Sequence, residues 1–100
     1  MHIVIQDQAN GVTSDVLVPA TEGITVGEAW SLFVGGTFSS ATAQVEVAPE
    51  AAGPWSAPEE LTFTAAGAVV ADISPRSYLR LVTSGGGAGT EISLWIGNAS

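Results

Sequence analysis

Hydrophobic positions along this chain alternate with polar or small ones in short runs, and turn-rich stretches separate the runs. The clearest run is 41–47, where Ala43, Val45 and Val47 alternate with Thr42, Gln44 and Glu46. Residues 77–83 set Leu79 and Leu81 against Tyr78, Arg80 and Val82. Residues 90–96 set Ile92, Leu94 and Ile96 against Glu91, Ser93 and Trp95. Successive side chains of a strand point to opposite faces, so each run predicts a strand with one buried side.

The remaining runs are shorter. His2 to Ile5 is β-prone and precedes Asn10-Gly11, a strong turn dipeptide. A hairpin there would return through residues 12–18 and stop at Pro19, which cannot donate a ladder hydrogen bond. Residues 24–34 support two readings. Val26, Trp30, Leu32 and Val34 fall on one side at period two, with Phe33 on the other, which predicts extended chain. Thr25-Val26-Gly27-Glu28 also matches a capping box, which predicts a short helix over 25–33. Gly35-Gly36 is expected to break the run. Residues 49–58 carry three prolines and read as a loop. Residues 61–64 and 68–73 flank Ala65-Ala66-Gly67 and read as a tight hairpin, and 84–89 reads as a flexible glycine-rich turn.

Seven to eight short strands about 8–12 residues apart, with no connection long enough for a helical crossover, predict an all-β fold. The expected architecture is a single antiparallel β-sandwich, Ig-like or jelly-roll-like, over residues 1–100.

Charge narrows the function classes. Only 12% of residues are charged, about half the usual ~25%. Ten acids face two arginines and no lysine, for a net charge of −8. Nucleic-acid phosphates and anionic membranes would be repelled, so neither is an expected partner. The negative charge either serves solubility alone or complements a basic surface on a partner. No run approaches the ~18 apolar residues of a membrane span, and no Sec-type leader is legible.

Reactive chemistry is sparse. His2 is the only histidine and there is no cysteine, so the usual zinc ligands cannot be gathered. Glu59-Glu60 is the only adjacent acid pair, and adjacent strand residues face opposite ways. Loop acids such as Glu50, Glu59 and Asp72 lack the dense spacing of a calcium loop. Residues 84–89 lack the Gly-Lys-Ser/Thr ending of a phosphate loop and precede a strand. No catalytic, cofactor-binding or metal-binding residue is therefore expected. Aromatics are the better candidates for contacts. Trp30 reads as core and Trp55 as a loop-tip residue. Trp95 reads either as an outward anchor of the kind that dominates interface energetics, or as a residue that caps a second small cluster or turns inward if the last strand's register differs by one. Arg80, outward beside Tyr78, is either a positioned interface contact or a cross-strand partner of Glu46 or Glu91.

Several stretches together resemble small β-sandwich virion proteins of tailed bacteriophages. Gly36-Thr37-Phe38 leads into the alternating run 41–47, and a turn ending in Trp follows at 53–55. Then come Phe63-Thr64-Ala65-Ala66-Gly67, the aromatic-plus-arginine strand at Tyr78–Arg80, and Ser84-Gly85-Gly86-Gly87 before the last strand. The likeness covers about the last two-thirds of the chain, and its motifs belong to the scaffold. It implies a non-enzymatic capsid decoration (cement) protein, made in the host cytoplasm and placed on the outer surface of the virion. The implied partner is the major capsid protein, with self-association as a homo-oligomer a further expectation. The residues expected to make contact are Trp95, Tyr78, Arg80 and the β-prone segment His2, Ile3, Val4, Ile5 and Gln6. The alternative is a tail or head-fibre module that binds carbohydrate or a host receptor on an aromatic platform of Trp55 and Trp95. A faint likeness of 48–55 to the Asp-box hairpin of sialidase-like repeats retains only Trp55 and implies no activity.

Overall fold

The computed structural model describes residues 1–98; residues 99 and 100 of the expected domain lie outside the described residues. Seven strands form: β1 (His2–Gln8), β2 (Trp30–Thr37), β3 (Thr42–Ala48), β4 (Thr62–Phe63), β5 (Gly67–Ala71), β6 (Tyr78–Ser84) and β7 (Glu91–Asn98). They build two antiparallel sheets, a four-stranded one in the order β1-β7-β2-β5 and a three-stranded one in the order β4-β3-β6. Two short 3-10 turns, Pro19–Glu22 and Glu59–Leu61, complete the regular structure.

The three clearest alternating runs are β3, β6 and β7. Their inward residues Ala43, Val45, Leu79, Leu81, Ile92, Leu94 and Ile96 are all fully buried. With Trp30, Leu32 and Val34 of β2 they form one core between the sheets. Trp30 is a core residue as expected, and its indole N–H donates to the carbonyl of Ile73 at 3.0 Å, which satisfies the one polar atom of a buried ring.

Five local readings are corrected, and in two of them the turn is real but the pairing is different. β1 does not form a hairpin with 12–18; it pairs with β7. The chain crosses at Asn10-Gly11 to the other sheet, where residues 11–17 run beside β6 through isolated bridges at Thr13–Val82 and Leu17–Leu79. Buried Gln8 pins this corner: its side-chain amide donates to the carbonyls of Leu81 (2.7 Å) and Val12 (2.9 Å). Residues 61–64 and 68–73 do not pair with each other either. β4 joins β3 and β5 joins β2, so Ala65-Ala66 crosses between sheets.

Residues 24–29 form neither helix nor strand. The capping-box positions close a single turn, Glu28 N–H to Thr25 C=O, and the strand begins at Trp30. Gly35-Gly36 does not break β2. Gly35 lies beneath the rings of Phe33 and Trp95, while Gly36 (φ +120) packs against the Glu91 backbone carbonyl, so Gly36 demands a missing side chain within the strand. The 84–89 turn is held in place. Gly86 N–H donates to the Asn10 side chain at 2.8 Å and Gly87 N–H to the Ser39 carbonyl at 3.0 Å.

Candidate interaction surface

The outer face of the four-stranded sheet is built by the polar-side positions of strands whose other side is core. Register places Ile3 opposite Trp95, Trp95 opposite Phe33, and Phe33 opposite Ala68. An apolar row thus crosses all four strands. Its centre is an edge-to-face pair of Phe33 and Trp95, with ring centroids 5.4 Å apart and planes at 75°, the arrangement favoured by the aromatic quadrupole. The adjacent row is Gly97, Ser31 and Val70, and Met1 lies over Gly97. On the other side Ser93 pairs with Gly35, and the absence of a side chain at Gly35 lets the two rings lie close to the sheet.

Exposure follows the same pattern. Met1, Val70 and Ile3 are 64%, 61% and 39% exposed, while Phe33 and Trp95 are half-buried by each other and by their neighbours. Neither the Ile3–Trp95–Phe33–Ala68 row nor the Gly97–Ser31–Val70 row carries a charge; Glu91, opposite Thr37, and exposed Asp7 of β1, whose N–H donates to the Ser93 hydroxyl at 3.0 Å, stand towards one end of the face. All ten acids except Glu46 are exposed elsewhere on the chain or at the rim of this face. An acidic protein therefore presents a sheet face whose central rows are apolar or neutral, the composition of an interface core.

The outer face of the three-stranded sheet is different. Arg80 pairs across the strands with Glu46, Nε to Oε1 at 2.7 Å, and its guanidinium lies 4.1 Å from the ring centroid of Trp55. Both members of the ion pair are about three-quarters buried. The Gln44 amide donates to Pro58 and Leu61 carbonyls, and its carbonyl oxygen accepts from Thr62. The 49–61 loop folds over this face, so its polar groups are satisfied internally.

These positions sort the candidate residues. Trp95 and Ile3 meet on one face. Tyr78 and Arg80 lie on the opposite side of the sandwich, Tyr78 half-buried opposite Ala48, and cannot share a single flat contact with Trp95. Arg80 takes the cross-strand role with Glu46. His2 is exposed, with Nε2 4.0 Å from a Glu22 carboxylate oxygen, and Gln6 is exposed. Val4 and Ile5 turn inward against the core and line a cleft of about 330 Å³ facing Asp15, Leu17 and Glu22. Trp55 and Trp95 occupy opposite outer faces, so they form no common platform. Phe33 and Val70 are contact candidates that the sequence reading missed. Phe33 had a visible signal in its position between inward Leu32 and Val34. Val70 had none, because its exposure depends on β5 lying at a sheet edge.

Among the described residues no group of three or more His, Asp or Glu side chains is gathered as a metal site, and no helix is long and apolar enough to cross a membrane. Compared with protein-family models, curated proteins and solved structures, the chain matches none.

Proposed function

We propose that this chain is a non-enzymatic virion protein that decorates the outside of a phage capsid, binding the major capsid protein through the outer face of its four-stranded sheet. The observation that carries the reading is the uncharged row Ile3–Trp95–Phe33–Ala68 on a chain of net charge −8. An apolar face of this kind gains by leaving water, and its aromatic pair is a rigid anchor with little side-chain entropy to lose. The exposed acids keep the opposite side solvated and steer the protein towards basic patches of a shell rather than towards packaged nucleic acid. The resemblance of residues 36–96 to phage β-sandwich virion proteins supplies the identity of the partner.

The test is to mix the purified protein with undecorated heads of the same virus and image them by cryo-electron microscopy. Regular added density on the outer shell, with the Phe33–Trp95 face towards the capsid, is the expected result. Trp95→Ala should abolish the density while the variant still unfolds cooperatively. Bare shells with the native protein, or density facing the shell through Arg80 and Trp55, would overturn the proposal.

A further inference from the structure

Four strand edges are open to solvent in a sandwich of this topology, and three are blunted. β1 carries register shifts after Ile3 and after Ile5, with Asp7 in the left-handed region (φ +51). Residues 11–17 meet β6 through two isolated bridges and one further bond, Gly11 N–H to the Thr83 carbonyl, and the Leu81 N–H is met there by the Ser14 hydroxyl instead of a carbonyl. β4 is two residues long, and Pro58 leads into it through a 3-10 turn. Bulges, prolines, charges and short length are the devices by which sheets discourage edge pairing.

β5 has none of them. Its five residues, Gly67–Ala71, hold an unbroken register against β2 and contain no charge or proline. Among the described residues, β2 is the only segment that hydrogen-bonds to its backbone, so the outer edge offers unpaired N–H and C=O groups beside Val70, which is 61% exposed.

We propose that β5 pairs antiparallel with β5 of a second copy, joining two four-stranded sheets into one of eight strands across a two-fold axis. Two features select a second copy. An antiparallel edge is self-complementary, so identical strands satisfy each other's groups at once. Charge also permits it at this edge. With Val69 opposite its own counterpart, Val70 faces Ala68 and Asp72 faces Ala66, so no acid meets an acid in a molecule of net charge −8. The pairing closes on itself, because the bulged β1 edge cannot continue it into a fibre. The two-fold axis lies normal to the sheet, so both Phe33–Trp95 faces emerge on the same side as one doubled surface. The pairing rests on the β5 edge alone and is independent of capsid binding.

Sedimentation equilibrium of the full chain, from micromolar to millimolar concentration, tests it. The expected mass rises from 10.1 kDa towards twice that value. Val70→Asp, which sets carboxylates near each other across the axis, should weaken the dimer roughly tenfold or more. The chain lacks cysteine, so Val70→Cys provides a unique thiol. Its diagonal counterpart would be about 7–8 Å away, and a short bismaleimide should link the pair, while Val26→Cys, 46% exposed in a turn, should stay unlinked. A monomer at every concentration, a dimer indifferent to Val70→Asp, or equal linking at residues 26 and 70 would overturn the proposal.

Discussion

Gln8→Met probes the corner that ties the two sheets together. Gln8 belongs to β1 of one sheet, yet its amide donates to Leu81 and Val12 in and beside the other, with a longer contact of 3.4 Å to the Thr83 hydroxyl. Methionine has similar reach and volume and cannot donate. Each lost bond is worth about 1 kcal/mol net. The full penalty for an orphaned acceptor does not apply, because the Leu81 carbonyl keeps the Ser14 N–H and the Val12 carbonyl keeps the Thr83 N–H. The expected loss is therefore about 2 kcal/mol, near a thirtyfold rise in the unfolded fraction and roughly 8–16 °C in Tm for a domain of this size. Urea unfolding followed by tryptophan fluorescence should show a lower midpoint with an unchanged slope. A loss under about 0.5 kcal/mol would refute the claim that this amide holds the sheets together. Gln8→Glu adds a sign test. Burial against carbonyl oxygens raises the pKa of the new carboxyl in the folded state above its unfolded value. The native state then holds the proton more tightly, and stability falls as pH rises through that window, starting near pH ~4. The variant should approach wild type in acid and lose most at neutral pH; the opposite slope would contradict the assigned geometry.

Three further outcomes are expected. Gly36→Ala drives a Cβ into the Glu91 carbonyl oxygen at φ +120 and should cost at least about 3 kcal/mol in chemical denaturation, whereas Gly11→Ala, at φ +76 in open space, should cost only about 1 kcal/mol. A double-mutant cycle on Arg80→Ala and Glu46→Ala should give a coupling of about 0.5–1 kcal/mol, and Arg80→Ala should change Trp55 emission by removing the stacked cation. Trp30→Phe, which loses the bond to Ile73 and leaves part of a ring unfilled in a site only 1% exposed, should destabilise by about 2–3 kcal/mol, measured by thermal unfolding.

What the sequence determined by itself is local in origin. The alternation in 41–47, 77–83 and 90–96 requires only that one side of each strand be buried, and it placed Ala43, Val45, Leu79, Leu81, Ile92, Leu94 and Ile96 in the core and Trp95 outside. The turn dipeptides were equally legible: Asn10-Gly11 reverses the chain, and Gly11 needs the positive φ it adopts. Which strand each turn delivers the chain to was not legible, because pairing is settled by contacts far apart in sequence. Asn10-Gly11 and Ala65-Ala66 could each close a hairpin on local grounds. Gln8 reaching Leu81, and β5 fitting the free edge of β2, carried them to opposite sheets instead. The same non-local pairing decided the surface. Ile3, Trp95, Phe33 and Val70 come from four separate runs and become one uncharged patch only when β1, β7, β2 and β5 lie side by side, while Arg80 and Trp55, equally aromatic or charged in sequence, end on the opposite side and engage each other.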